Sequence, residues 1–334
     1  MKNKLTRWAL ALASAIALQA TAGAQPLFIG DAQNDTIEGL DVGTGKYLGA
    51  FVHSSINTET YKISGPRGVI FVGNVLLVAN QNVNQPIAGE ILKFDAQTGS
   101  FLGALVPASD AHAPFAPRGI VAGPNGIIYV ADNGNFDGVH WGRVALFSLQ
   151  GAWLGDLNPT GFGAEFDPRG LVFGPDGLLY VSVTGNLAAG DRGSGYVVRF
   201  NPATGGFVDV FAGTAQGLHR PEGLTFGPNG NLYVTSFLFG SDADQVLSFA
   251  PNGSLQGSLP LYPSGGARVF AQALLFGPGG DLFLPILNDG VVRRYNAANG
   301  FGTYTELPTK GNALKQPFYL TFRNTNPSTL AYQP

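Results

Sequence analysis

The stretch Pro-Arg-Gly-Ile-Val-Ala-Gly-Pro-Asn-Gly-Ile-Ile-Tyr-Val-Ala-Asp-Asn-Gly-Asn, residues 117–135, contains a pattern that recurs along the whole chain. A short apolar run follows Pro-Arg-Gly, a Gly-Pro-Asn-Gly turn follows that run, and a second apolar run follows the turn. Runs of β-branched and aromatic residues are typical of strands, and Asn-Gly supplies the positive φ of a tight hairpin. The stretch therefore predicts two antiparallel strands joined by a turn.

Copies of the first strand return at a nearly constant interval, starting at Pro66, Pro117, Pro168, Pro221, Ala271 and Pro317. Self-similarity with a period of about 50 residues indicates a repeat architecture. Two more strands complete the clearest unit, in residues 245–249 and 254–259. Four-stranded units repeated around an axis form a propeller. We therefore predict an all-β fold, a six-bladed β-propeller with four antiparallel strands in each blade.

The two ends of the chain predict how the ring closes. Residues 26–31 resemble a second strand with no first strand before it, and residues 318–322 resemble a first strand. We therefore expect N- and C-terminal strands to share one blade. Residues 329–332 also resemble a second strand, so two segments compete for one place in that blade.

The N-terminus has the features of a secretory signal peptide. Basic residues come first, an apolar run follows from Trp8 to Leu18, and small residues end the segment at Ala22–Ala24. This order predicts a cleaved signal in residues 1–24 and export to the periplasm or the extracellular space. The apolar run is too short to span a bilayer, so we expect no membrane anchor. Residues 25–334 are predicted to form a single propeller domain.

The composition restricts the function classes. The formal net charge is -3 and charged residues make up only 12% of the chain, which argues against a nucleic-acid partner. The chain has no cysteine, so its stability must come from packing without disulfides. We expect a monomer whose partner is a small molecule or another protein.

The repeat in residues 117–135 resembles an NHL repeat, and the resemblance to NHL and gluconolactonase-like propellers extends over the whole mature chain. This similarity implies a central funnel on the face where the first strands begin and where the loops between second and third strands lie. Members of this group include lactonases, lyases and plain interaction modules. The resemblance therefore implies the fold and leaves the reaction open.

Candidate ligand-binding residues occupy the second position in each copy of the first strand: Arg67, Arg118, Arg169, Glu222, Gln272 and Phe318. A guanidinium group donates two parallel hydrogen bonds to a planar anion, so three of them predict a pocket for a carboxylate, phosphate or sulfate. The alternative is that each arginine bonds loop carbonyls between blades. His140 and Trp141, in an insertion predicted over the same face, complete the candidate ligand-binding set.

A metal site is a further candidate. Glu222, Asp132 and Asp31 offer the oxygen ligands that Ca²⁺ prefers. The resemblance to gluconolactonases implies one divalent ion at the funnel. The alternative is that these side chains stabilise turns by bonding the backbone.

Two histidines are candidate acid–base residues. His112 and His219 both precede a first-strand proline, on the side of the funnel. Ordinary loop contacts are the alternative for both.

The leading hypothesis is therefore an exported propeller that binds a small ligand or a protein at the loop-bearing face of its funnel. The alternative is a metal-dependent hydrolase of the lactonase or esterase type, or a lyase, acting on an anionic small molecule in the same funnel.

Overall fold

The computed structural model describes residues 26–53, 62–83, 85–134, 142–185, 193–237, 244–261, 268–308 and 313–334. These residues form six separate sheets, each with four antiparallel strands. Inner strands of successive sheets contact one another around a common axis. The predicted all-β, six-bladed propeller is confirmed.

Each blade takes consecutive strands, except the blade that contains both chain ends. Blade 6 contains the first three strands, β1 (Pro26–Asp31), β2 (Thr36–Asp41) and β3 (Lys46–Val52). Blades 1 and 2 contain β4 (Pro66–Val72), β5 (Val75–Asn80), β6 (Glu90–Asp95), β7 (Phe101–Val106), β8 (Pro117–Ala122), β9 (Ile127–Asp132), β10 (Arg143–Ser148) and β11 (Trp153–Asp156). Blades 3 and 4 contain β12 (Asp167–Phe173), β13 (Leu179–Thr184), β14 (Gly195–Phe200), β15 (Phe207–Gly213), β16 (Pro221–Phe226), β17 (Leu232–Ser236), β18 (Gln245–Phe249) and β19 (Leu255–Pro260). Blade 5 contains β20 (Leu275–Phe276), β21 (Leu282–Ile286), β22 (Val291–Tyr295) and β23 (Tyr304–Leu307), and β24 (Pro317–Phe322) completes blade 6.

Blade 6 closes the ring as predicted. Its innermost strand, β24, pairs antiparallel with β1 in a register that places Leu27 opposite Phe322 and Ile29 opposite Leu320. The place of the second strand therefore belongs to β1. The competing segment 329–332 contributes only an isolated bridge between Thr325 and Tyr332.

The repeat glycines allow the inner strands to approach closely at the axis. A Cβ atom added at Gly68 would lie 2.6 Å from the carbonyl oxygen of Arg118 in the next blade. A Cβ atom added at Gly170 would lie 2.5 Å from the carbonyl oxygen of Glu222. Both distances are shorter than a real Cβ contact, so only glycine fits here. Because each of these glycines lacks a side chain, the backbone of the next inner strand can lie directly against it, at Arg118 for Gly68 and at Glu222 for Gly170.

The C-terminal tail covers the end of the axis where the inner strands finish. The carbonyl oxygens of Pro327 and Ser328 accept hydrogen bonds from the last inner-strand segments of blades 2 and 3, at 2.9 Å from Ala122 N and 3.1 Å from Phe173 N. Leu330 packs against the cores between several pairs of blades. It also lines a small axial cavity of about 40 Å³, surrounded by apolar side chains and the repeat glycines. This end of the axis is therefore closed.

The segment predicted to be a signal peptide, residues 1–24, lies outside the described residues, so export stays a prediction. Among the residues that the structure describes, none belongs to a helix long and apolar enough to cross a bilayer.

Candidate ligand site at the propeller axis

The side chains at the second position of each copy of the first strand meet at the end of the axis where the inner strands begin. Arg118 Nη1 lies 3.3 Å from Gln272 Oε1 and donates a hydrogen bond to it. These residues belong to blades 2 and 5, which face each other across a ring of six. The bond therefore crosses the axis. We call the group Arg67, Arg118, Arg169, Glu222, Gln272, Phe318 and Tyr319 the axial cluster.

Only some of the hydrogen-bond donors of the three axial-cluster arginines have partners in the protein. The Arg67 guanidinium lies 3.7 Å from the centroid of the Phe318 ring, and Arg169 Nη1 lies 3.6 Å from Glu222 Oε1. Arg67 is 7% exposed and Arg169 is 4% exposed. The Nε atoms of all three arginines are buried and have no hydrogen-bond partner. Buried donors without a partner are costly and rare, and three of them are concentrated here.

Electrostatic repulsion accompanies this burial. Burial, followed by the charge of Arg118, lowers the pKa of Arg67 to about 9. Burial, followed by the charge of Arg169, lowers the pKa of Arg118. In both cases the charged form is disfavoured because water is scarce and like charges are close. An anion placed among these groups would favour the charged form of each arginine and so oppose both shifts.

Tyr319 is a member of the axial cluster that the sequence analysis missed. It occupies the position of the repeat glycine in the last copy, Pro317-Phe318-Tyr319. Its ring therefore lies where four other blades carry a bare glycine, and it lines the axial cavity. Its hydroxyl group is buried without a partner, and burial, followed by the charge of Glu222, raises its pKa. The sequence signal for this residue is the replacement of glycine by tyrosine in the Pro-x-Gly pattern of the last copy.

The candidate metal ligands Asp31 and Asp132 hold the backbone of their own blades. Asp31 Oδ2 accepts from Lys315 N at 2.6 Å, just before β24. Asp132 accepts from Phe115 N at 2.9 Å and from Ala116 N at 2.8 Å, just before β8. In each case the last residue of the second strand fixes the loop that leads into the first strand.

The residues proposed as metal ligands do not fit a common ion. Glu222 is paired with Arg169, whereas Asp31 and Asp132 are occupied by backbone donors in blades 6 and 2. Within the described ranges, no group of three or more His, Cys, Asp or Glu residues could hold a metal ion. We therefore derive no step through a metal at these residues.

The two candidate histidines lie in different surroundings. His112 stacks on Trp153 with ring centroids 3.9 Å apart, and Trp153 belongs to the outermost strand of blade 2. His112 therefore lies at the outer edge of the propeller. His219 lies at the mouth of blade 4, where its ring contacts the Gly193 carbonyl and its backbone N–H donates to Ser236 Oγ at 3.0 Å. The candidates His140 and Trp141 lie outside the described residues.

Blade 3 carries a second feature that sequence reasoning missed. Thr184 ends the second strand there, yet its hydroxyl group is buried without a partner. Asp167, which is 2% exposed, pairs with Thr184 across the strands, and its Oδ2 atom also lacks a partner. Burial raises the pKa of Asp167 to about 7, opposed by Arg169 and aided by Glu165. Asp167 precedes Pro168, whereas the predicted ligand-binding residues follow the first residue of each repeat.

The raised pKa of Asp167 predicts how stability depends on pH. Between pH 3.8 and about 7 the folded protein keeps this proton and the unfolded chain does not. The free energy of unfolding should therefore fall as pH rises through this window. Asn lacks the charge, so we expect Asp167→Asn to raise the melting temperature by ~2–6 °C at about pH 8. The gain should vanish toward about pH 4. Differential scanning calorimetry between about pH 4 and pH 8 measures the melting temperatures, and a gain independent of pH would contradict the prediction.

Comparison with known proteins shows similarity in structure. No family model and no curated protein matches the sequence. A periplasmic gluconolactonase from Pseudomonas aeruginosa is 14% identical, over 89% of this chain and 98% of its own, with a TM-score of 0.54. A catalytically inactive virginiamycin B lyase from Staphylococcus aureus, with quinupristin, is 16% identical over 89% and 88%, with a TM-score of 0.52. A protein of unknown function from Bacteroides caccae is 12% identical over 88% and 99%, with a TM-score of 0.56. At such identities the similarity shows the fold alone.

Proposed function

We propose that this propeller binds a small anionic molecule at the axial cluster. The observation that carries the proposal is the set of three buried Nε–H groups, on Arg67, Arg118 and Arg169, that have no partner in the protein. A carboxylate, phosphate or sulfate group can accept several such bonds at once. We also propose that the repeats are of the NHL type, on the pattern of residues 117–135.

The path of the ligand follows from the closed end. Leu330 and the tail carbonyl groups cover the end of the axis where the inner strands finish, and the cavity beneath the axial cluster is apolar and about 40 Å³ in volume. A charged group would lose its hydration there without gaining partners. The ligand therefore enters from the opposite face, and its anionic group stops at the arginines.

The affinity of the Arg118→Gln variant for sulfate tests the proposal. A hydrogen bond to a charged group contributes about 1.5–3 kcal/mol, so we expect affinity to fall by ~10-fold or more. Titration calorimetry at constant ionic strength measures this affinity. A direct binding measurement is needed because sulfate also stabilises proteins without binding at a specific site.

Lys46→Gln is the matched control, since it removes one positive charge from an exposed position at the start of β3. The control should bind sulfate as the parent does. Equal affinities of the parent and Arg118→Gln would refute the proposal, and so would an equal loss in both variants.

A hydrolase or lyase acting on an anionic molecule is the second candidate. Asp167 favours it, because a buried carboxyl group with a pKa of about 7 and a free oxygen can donate or accept a proton near neutrality. The similarity to a gluconolactonase and to a virginiamycin B lyase adds support at the level of the fold. Asp167→Asn also tests this candidate, on a panel of anionic lactones and esters. Turnover should be lost while sulfate binding persists, and unchanged turnover would remove Asp167 from the reaction.

A further inference from the structure

We infer that the ligand of the axial cluster is a dianion, a molecule that presents two negative charges to the arginines. This inference rests on the proposed anion binding and adds the charge class of the ligand. It covers tetrahedral dianions such as sulfate or a phosphate monoester, and dicarboxylates, because both supply the same two charges.

The charge balance of the axial cluster carries the inference. Arg67, Arg118 and Arg169 supply three positive charges, and the only carboxylate paired with them in the described cluster is that of Glu222. Gln272 and Phe318 complete the ring without charge. The cluster therefore has an excess of two positive charges. Uncompensated charge away from water is costly, so the folded protein favours a partner that cancels the whole excess.

The flanking acids form no ion pair with the axial arginines among the described residues. Asp35 interacts with Arg67 at longer range, and its Oδ1 atom accepts a hydrogen bond from Gly65 N at 2.8 Å. Asp167 interacts with Arg169, and burial raises its pKa to about 7. Below neutral pH much of Asp167 is therefore uncharged, and measurements at slightly acidic pH isolate the balance within the cluster.

A monoanion would leave one guanidinium uncompensated. Arg118 spans the axis to reach Gln272, and it interacts electrostatically with both Arg67 and Arg169, so an anion beside Arg118 is attracted by all three arginines. At an effective dielectric constant of about 20, a second charge several ångströms away changes affinity by ~10-fold or more. A dianion should therefore bind at least ~10-fold more tightly than a monoanion of similar size.

Two matched pairs of ligands test this inference by titration calorimetry at about pH 6.5 and constant ionic strength. Sulfate is compared with nitrate, and succinate with propionate. Tighter binding of sulfate, of succinate or of both than of the matched monoanion supports the inference and distinguishes a tetrahedral ligand from a dicarboxylate. Equal binding of the dianion and the monoanion in both pairs overturns it while leaving anion binding intact. Failure of all four to bind overturns the proposed function as well.

Charge variants of the axial cluster provide a second test. Glu222→Gln raises the positive excess and should tighten sulfate binding by ~3–10-fold, whereas Arg118→Gln should weaken it by ~10-fold. The exposed variants Lys46→Gln and Glu306→Gln are the controls and should change neither affinity. Weaker sulfate binding by a folded Glu222→Gln variant would show that Glu222 contacts the ligand directly and would overturn the inferred preference for a dianion.

Discussion

Deletion of residues 317–334 is expected to abolish cooperative folding, because it removes the innermost strand of blade 6. All six residues of β24 are buried, and they include Phe318, Leu320 and Phe322. Burial of one such side chain contributes about 1.5–3 kcal/mol, and the whole domain is stable by only about 5–15 kcal/mol. The deletion also exposes the hydrogen-bonding edge of β1. Circular dichroism melting measures the loss.

A shorter deletion, of residues 326–334, is the matched control. It removes Leu330 and the two tail carbonyls that bond blades 2 and 3, but it leaves the pairing of β24 with β1 intact. We expect a folded protein with a melting temperature lower by several degrees. A cooperative transition of the longer deletion close to that of the parent would show that β24 does not close the ring.

Substitution Gly170→Ala is expected to destabilise the protein by about 2–3 kcal/mol, a large effect for one methyl group. The added Cβ would lie 2.5 Å from the Glu222 carbonyl oxygen and 2.7 Å from Leu224 Cδ2. The same carbonyl accepts a hydrogen bond from Ser182 Oγ at 2.5 Å, so it cannot move without disturbing that bond. Displacement of β16 also moves Glu222, and sulfate binding should change with stability.

Gly257→Ala is the control for this substitution. A Cβ at Gly257 would meet only Ser248 Oγ, at 3.6 Å, in the outer part of blade 4. Denaturant unfolding should show a change of less than about 0.5 kcal/mol for this variant. If both alanine variants lose the same stability, the close approach at the axis is not the reason for the repeat glycine.

The candidate site could be predicted in part, because it lies on the repeat. Arg118 follows a proline in a phrase of fixed period, so its position at the mouth of an inner strand follows from the sequence. Its bond to Gln272 does not follow, since it joins blades on opposite sides of the axis. For Asp132, the residue type alone does not determine the role of the side chain. Its residue type suits a metal ligand, but two backbone N–H groups from the preceding loop occupy its carboxylate.

The sequence by itself determined the number of blades, the order of strands and the blade that closes the ring. Those features depend on local turn chemistry and on alternating apolar runs, which are written within each repeat. Only the tertiary structure decided that Tyr319 lies beside the repeat glycines, that Leu330 closes one end of the axis, and that Glu222 pairs with Arg169 and interacts with Arg67 and Arg118. These are contacts between residues far apart in the chain, and burial and charge balance arise only when six blades surround one axis.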